Sequence, residues 1–123
     1  MRRKEQVSNP LSVVLQLVGA KWKFLIIQEL LIKDLRFAEI KKKLGCTSKV
    51  LTAALRELES DGVVIREEQE GKSLKVKYYL TDIGYTLRPV IESMQKWGRE
   101  YKKLKHLMEK YSNESNLSGT QRI

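Results

Sequence analysis

The chain has 123 residues and a formal net charge of +9 at pH 7, since 24 lysines and arginines stand against 15 aspartates and glutamates. This length suits one domain with a modest core, and the charge favours a polyanionic partner, either nucleic acid or an anionic membrane surface. The longest mostly apolar run, residues 24–32, is shorter than the roughly 20 residues that span a bilayer, and the single cysteine, Cys46, excludes an internal disulfide.

Two helices are predicted after a flexible basic arm at residues 1–8. Asn9 is a suitable N-cap and Pro10 a suitable first helical residue, and Gly19 is expected to end this first helix. Its apolar face, at helical spacing, is formed by Leu11, Val14, Leu15 and Val18. The second helix is predicted from about Lys21 to Leu31, with a buried stripe formed by Trp22, Leu25, Ile26 and Leu30.

A short third helix and a longer fourth helix follow, separated by a tight turn at Gly45. The third helix is predicted over about 37–44, with lysines 41–43 on its exposed side and an inward face formed by Phe37, Ile40 and Leu44. Thr47 is expected to cap the fourth helix, over about 48–60, and Gly62 to end it. The inner face of the fourth helix is formed by Leu51, Ala54, Leu55 and Leu58.

Alternation with a period of two predicts two strands. Val63 and Ile65 alternate with the residues between and after them, and residues 75–80 alternate in the same way. Residues 70–73 supply the turn, so the strands form a hairpin. Thr81 is expected to cap a last helical segment that continues to about Tyr111, and Pro89 either kinks this segment or begins a new helix.

The order of these elements is that of a winged helix-turn-helix with a C-terminal helix outside the minimal unit. We therefore predict a mostly α fold with a small β-hairpin and with N- and C-terminal dimerisation helices. The domain covers residues 9–111, and residues 112–123 are predicted to be a flexible polar tail.

The outward side of the fourth helix carries the residues that we expect to read DNA. Lys49, Thr52, Ala53 and Arg56 are offset by 0, 3, 4 and 7 positions and line up on one side, with Ser48 at the helix start. The major groove of B-DNA admits one α-helix. Arginine can bind guanine through two N–H groups, serine and threonine can bond bases either way, and alanine can contact a thymine methyl.

Basic residues flank this surface. Residues 41–56 hold five basic residues and no acid, and residues 71–80 hold three and no acid, so both stretches are expected to contact phosphates or the minor groove. Taken alone, the lysines at 41–43 could equally be a solvated helix face. The candidate DNA-binding residues are Lys41, Lys42, Ser48, Lys49, Thr52, Ala53, Arg56, Lys72, Lys75 and Lys77.

Apolar residues of the last helix recur at alternating steps of three and four, the a/d pattern of a coiled coil, over four heptads. The alternative is that this helix packs against its own domain. Because a chain of this length cannot easily cover so long an apolar stripe, we expect a homodimer. A two-fold dimer places its recognition helices about 34 Å apart and reads a near-palindromic operator. The candidate interface residues are Leu11, Val14, Leu15, Leu87, Val90, Met94, Trp97, Tyr101, Leu104 and Met108, and the stripe continues to Tyr111.

Several blocks in one order resemble the HxlR family of winged-helix regulators, relatives of the MarR group, over about residues 10–101. The blocks are LVGAKWK at 17–23, LRFAEI at 35–40, KVLT at 49–52, LRELE at 55–59, DGVV at 61–64, KVKYYLT at 75–81, LRPV at 87–90 and WG at 97–98. The resemblance implies a cytoplasmic, prokaryotic, homodimeric repressor or activator that dimerises through its first and last helices.

Two positions depart from the family pattern. Members often carry a cysteine immediately before the proline of the first helix, and some sense oxidants or electrophiles with it. Here that position is Asn9, which argues against thiol sensing of that kind. The hairpin has Ser73 and Leu74 in place of the usual paired prolines, which predicts a more mobile tip.

Other functions have less support in the residues. One histidine and one cysteine make a catalytic set or a metal site improbable, so we expect no enzyme activity, no cofactor and no metal. Cys46 is interpreted as a turn residue, although a modified thiol there would disturb the fourth helix, and His106 is interpreted as a surface residue. A winged helix that binds only proteins is the alternative, and a small-molecule effector is left open. Without a recognisable signal peptide, a cytoplasmic, nucleoid-associated location is expected.

Overall fold

A computed structural model describes residues 9–18, 21–71 and 75–118 of the chain. Seven of its elements form a helical layer and a small sheet, and two helical segments follow. In chain order they are α1 Pro10–Val18, α2 Lys21–Ile32, β1 Leu35–Arg36, α3 Phe37–Leu44, α4 Ser48–Ser60, β2 Val64–Gln69, β3 Lys75–Leu80, α5 Asp82–Tyr85 and α6 Arg88–Ser118.

The first helix begins as its sequence predicts. The Asn9 side-chain oxygen accepts hydrogen bonds from the backbone N–H groups of Leu11 at 2.9 Å and Ser12 at 3.4 Å, which satisfies two N–H groups that lack partners inside the helix. Asn9 therefore has a structural role at the position where the resemblance pointed to a cysteine. Gly19, the predicted end of this helix, lies outside the described residues.

Helix α2 is the central helix of the core, and its predicted stripe needs correction. Trp22 and Leu25 are only half-buried, whereas Ile27 and Leu31 are buried along with the expected Ile26 and Leu30. The helix contacts α1, α3, α4 and β3. Because neighbours lie on more than one side, two adjacent rows of side chains are buried instead of one.

Helices α3 and α4 have the bounds predicted from the sequence. Gly45 joins them with a φ of 69°, a left-handed conformation that glycine adopts without the steric cost of a Cβ. Thr47 caps α4, since its hydroxyl accepts a hydrogen bond from the Val50 N–H at 3.1 Å. The four predicted inner residues of α4 are all buried, whereas Phe37 and Leu44 of α3 are only half-buried around the buried Ile40.

The sheet has three antiparallel strands in the order β1-β3-β2. The β2–β3 hairpin is confirmed, and β1 is an addition that the sequence pattern did not predict, because two residues are too short to show alternation. Val64 pairs with the buried Leu80, so the even-numbered residues of β2 share a face with Tyr78 and Leu80, and of these Val64 is buried whereas Arg66 and Glu68 are exposed. Ile65 is consequently exposed, which corrects its expected place on one face with Val63. The buried Val63 precedes the strand, where its N–H bonds to the Leu58 carbonyl at 2.9 Å.

The base of the hairpin is closed by Thr81. Its hydroxyl donates to the Gly62 carbonyl at 2.6 Å and accepts from the Gly84 N–H at 3.0 Å, so one side chain connects the end of α4 to the start of α5. Gly84 is buried, and a Cβ at this position would meet the Val63 carbonyl oxygen. The fold therefore requires glycine there for a close approach of two backbone segments.

The last helical segment divides at Pro89, the second of the two alternatives left open by the sequence. Helix α5 ends at Tyr85, and α6 begins at Arg88 and continues to Ser118. The helix thus continues past its predicted end near Tyr111, and the flexible polar tail at residues 112–123 stays a prediction. Residues 112–118 contain no proline or glycine, so no strong helix breaker intervenes before Gly119.

The chain forms two compact units, one up to Arg88 and one from Pro89, whereas the sequence prediction treated residues 9–111 as one domain. Within the described residues, no single helix is long and apolar enough to cross a membrane. One bent pair of segments, residues 10–16 and 21–32 at an angle of 83°, is long and apolar enough when the two are taken together. The second of these segments is α2, which forms the centre of the core.

Candidate nucleic-acid interface

The two sides of α4 differ sharply in exposure. Leu51, Leu55 and Leu58 are at most 1% exposed, and they hold the helix against the core. Of the predicted reading residues, Ser48, Lys49, Ala53 and Arg56 are exposed and Thr52 is half-buried. The helix therefore presents an outward surface of two cationic side chains, two hydroxyls and one methyl, which match the groups displayed by base edges in a major groove.

The start of α4 is suited to an anion. The first turn contains no acidic residue, and the backbone N–H groups there carry the positive end of the helix dipole. Thr47 occupies one of these N–H groups through its hydroxyl. The remaining ones, next to the exposed Ser48, lie at a helix N-terminus, where backbone N–H groups and the dipole favour an anion.

Lysines 41–43 lie in the last turn of α3, and all three side chains are exposed. None of them forms an ion pair with another described residue. Cations at this end of a helix also stabilise it through the dipole. Their placement thus fits both a phosphate contact and the solvated face that the sequence left as an alternative.

The register of the wing defines the surroundings of its lysines. Lys75 is exposed and lies opposite Gln69, whereas the half-buried Lys77 lies between Glu67 on β2 and Arg36 on β1. Side chains directly opposite one another share a face of the sheet. Lys72, also predicted to contact DNA, lies outside the described residues.

Arg66 on β2 is engaged within the wing. Its guanidinium donates a hydrogen bond to the Glu68 carboxylate at 3.0 Å. That bond, followed by a hydrogen bond with the Tyr78 hydroxyl, raises the pKa of the arginine above its usual value. Arg66 is therefore held by a neighbouring acid, which explains why it is a weaker candidate for phosphate than Lys75.

Two basic residues near the interface were missed by the sequence analysis. Arg36 on β1 lies directly opposite Lys77 on β3. The sequence analysis missed this residue because it did not predict strand β1. Lys23 was quoted only within a family block, yet its amine lies 2.6 Å from the Glu57 carboxylate of α4. A buried lysine has no signature in sequence periodicity, because lysines normally occur on surfaces.

The predicted dimer residues are largely uncovered. On α1, Leu11 is 65% exposed and Leu15 is 56% exposed, Val14 is half-buried, and the side chain of Val18 lies outside the described residues. On α6 the stripe is exposed from Met94 through Tyr111, and Leu87 and Val90 before it are half-buried.

The centre of the α6 stripe is aromatic. The rings of Trp97 and Tyr101 stack with centroids 5.2 Å apart, as residues four apart on one helix face can do. Leu107, which the heptad pattern does not include, is also exposed.

Other chemistry has no centre in the described part of the chain. No group of three or more histidine, cysteine, aspartate or glutamate side chains lies close enough to hold a metal ion among those residues. Cys46 is buried with a free thiol in the turn before α4, and His106 is exposed on α6.

Comparison with known proteins identifies the family. The family model for the HxlR-like helix-turn-helix matches residues 17–106, most of the chain. The chain belongs to the HxlR family. It is a transcriptional regulator with a helix-turn-helix DNA-binding fold and is not an enzyme, as the sequence predicted.

Individual relatives agree with this assignment. The uncharacterized HTH-type transcriptional regulator YdeP of Bacillus subtilis (strain 168) is 43% identical over 94 residues, which are 76% of this chain and 73% of YdeP. The redox regulator HypR in its reduced form is 34% identical with a TM-score of 0.75, over 80% of this chain and 98% of that one. A protein of Enterococcus faecalis V583, described as a MarR-family regulator, is 34% identical with a TM-score of 0.70, over 86% of this chain and 96% of that one.

Proposed function

We propose that this HxlR-family protein binds a near-palindromic operator as a homodimer, with α4 of each copy in the major groove and each wing on flanking DNA. The observation that carries the proposal is the separation of faces on α4, where the inward leucines are buried and Lys49 and Arg56 are exposed. Arg56 and Thr52 would contact base edges, and Lys49 would contact a base or a phosphate.

The charges around α4 support a phosphate role for the flanking elements. Lys41 and Lys42 are exposed at the end of α3, and Lys75 is exposed opposite a neutral glutamine on the wing. Such contacts fix position and register on the duplex without reading its sequence. They would also make binding steeply dependent on salt, because each contact releases condensed counterions.

The exposed stripe of α6 supports dimerisation. Trp97, Tyr101 and Met108 are between 46% and 67% exposed in a single copy, and large apolar side chains in a continuous row are rarely left in water. Pairing of two such stripes as a coiled coil would bury them. The exposed apolar residues of α1 would be covered by the second copy as well. The dimer would then act on DNA in the cytoplasm, associated with the nucleoid.

Selection of bound duplexes from a random DNA library tests this function. We expect enriched sequences with two inverted half-sites whose centres are about one helical turn, roughly 10 base pairs, apart. Enrichment of a single half-site would contradict both the near-palindromic operator and binding as a dimer. If no sequence is enriched and the protein instead binds only other proteins, the DNA-reading role is wrong for this member of the family.

A further inference from the structure

We propose that Lys23 is a positioning residue for DNA reading, because it ties the last turn of the recognition helix α4 to helix α1. The proposal rests on the function proposed above, since it concerns how the two copies of α4 are held for the duplex. Lys23 itself makes no contact with DNA in this proposal and acts through Glu57 and Gln16.

The side chain of Lys23 is charged and buried. It leaves the first turn of α2, and the residue is 7% exposed, the one charged residue in the buried class among those that the structure describes. Burying an ammonium group is costly unless it is paired and hydrogen-bonded. The amine is therefore constrained to keep the partners that it has.

Those partners belong to two other helices. The Lys23 Nζ is 2.6 Å from Glu57 Oε1 on α4 and donates to the Gln16 backbone carbonyl on α1 at 3.4 Å. Gln16 lies in the last turn of α1, where carbonyl groups lack helical partners and where the dipole favours a cation. One amine thus joins α1 and α4 from a side chain rooted in α2.

The position of Glu57 connects this ion pair to the reading surface. Glu57 follows Arg56 directly, so their side chains are separated by about 100° around the helix axis. Holding Glu57 towards Lys23 would fix the rotation and tilt of the last turn of α4, which begins directly after the exposed Arg56. The buried leucines hold the helix against the core, and the Lys23 amine adds a link to α1.

Helix α1 is also an element of the proposed dimer interface, with Leu11 and Leu15 exposed. A link between α1 and α4 would make the separation of the two recognition helices depend on the dimer contact. Loss of the link should loosen this separation and so reduce discrimination between operators that differ only in half-site spacing. It should leave non-specific binding unchanged, since no phosphate contact is lost.

The test compares Glu57→Gln with Glu59→Gln on duplexes obtained by the random-library selection. Glu57 is largely exposed, so its replacement leaves the core intact. Glu59 lies on the same helix, undergoes the same charge change, and forms no ion pair with another described residue. Affinities are measured for the selected duplex, for the same duplex with one base pair inserted between half-sites, and for unrelated DNA, and far-UV circular dichroism checks folding.

We expect Glu57→Gln to bind the selected duplex about tenfold more weakly, within the usual range for a coupling between two sites. It should lose most of its preference over the respaced duplex, while Glu59→Gln keeps the parental values. Lys23→Met retains an unbranched apolar side chain and should show the same loss of spacing preference as Glu57→Gln. If Lys23→Met does not fold, the comparison of Glu57→Gln with Glu59→Gln is the deciding measurement. A parent that prefers no duplex would refute the proposed function and this inference with it, whereas a discriminating parent with a Glu57→Gln variant that behaves like Glu59→Gln would refute this inference alone.

Two results would overturn the proposal. In the first, Glu57→Gln lowers the melting temperature but matches Glu59→Gln on all three DNAs, which reduces Lys23 to a purely structural residue. In the second, both variants change affinity equally, which assigns the effect to the lost negative charge near DNA.

Discussion

Glu67 on β2 lies directly opposite Lys77 on β3, and both belong to the face of the sheet turned away from the buried Tyr78 and Leu80. A carboxylate next to a lysine offsets part of its attraction for phosphate. Lys75, two pairs further towards the hairpin tip on the same face, lies opposite the neutral Gln69. We therefore expect the two wing lysines to differ as candidate DNA contacts.

Lys75→Ala should weaken binding to all sequences alike and flatten the slope of log affinity against log salt by about one unit. Lys77→Ala should flatten it by less, because the Glu67 carboxylate directly opposite offsets part of the attraction of that lysine for phosphate. Titrations of a labelled duplex at four or five salt concentrations measure both slopes. In the Glu67→Gln background, the effect of Lys77→Ala should grow towards that of Lys75→Ala. Equal slopes for the parent and Lys75→Ala would remove Lys75 from the phosphate contacts.

Arg56→Ala should weaken binding to the selected operator by about 1–3 kcal/mol and relax the preference for one base pair. The reason is that the outward guanidinium would bind a base edge through two hydrogen bonds. A selection repeated with the variant shows which position of the half-site becomes degenerate. Arg99→Ala is the matched control, because this exposed residue on α6 lies off the heptad stripe. If Arg56→Ala retains the parental operator, Arg56 does not read DNA.

Trp97→Asp combined with Tyr101→Asp should convert the protein to monomers in light scattering at micromolar concentration. Two carboxylates at the centre of the stripe would have to be buried unpaired in the dimer. The control is His106→Asp combined with Asn113→Asp, which introduces the same two carboxylates at exposed positions of α6 off the stripe. A double variant that remains dimeric would place the interface elsewhere on the chain.

Gly84→Ala should destabilise the fold by about 1–3 kcal/mol, the usual cost of overpacking. The added Cβ meets the Val63 backbone carbonyl and the Leu80 side chain, and a carbonyl held by the Thr81 N–H cannot move freely. Chemical denaturation followed by circular dichroism measures the change. Gly98→Ala on α6 has open space around its Cβ and should be neutral or stabilising by up to about 1 kcal/mol. Similar values for both variants would contradict the close approach at Gly84.

The helix-turn-helix was predictable because its signals are local. Thr47 and Gly45 mark the start of α4 and the turn before it, and the four inner residues of α4 recur at helical spacing. The bounds of α3 and α4 therefore agree between sequence and structure. The candidate DNA and dimer residues remain predictions, since exposure is necessary for their roles but does not demonstrate them.

The features that the sequence did not predict depend on contacts between residues distant in the chain. Strand β1 exists because Leu35 and Arg36 pair with β3, more than 40 positions away, and no pattern within two residues indicates that pairing. Ile65 was misplaced because the alternation shifts at Val63, whose N–H bonds to the Leu58 carbonyl of α4 while its own carbonyl accepts from the Thr81 N–H. The Lys23–Glu57 pair joins positions that only the packing of α2 on α4 brings together.

The separation of faces on α4 has a consequence for how such proteins diversify. Different positions of α4 hold the helix against the core and face outward. Substitutions at the outward positions can therefore occur without disturbing the core. Under the proposed function, changes at Lys49, Thr52, Ala53 and Arg56 after a gene duplication would redirect one copy to a new promoter while the fold stays intact. Paralogues with nearly the same interior are thus expected to recognise unrelated target sites.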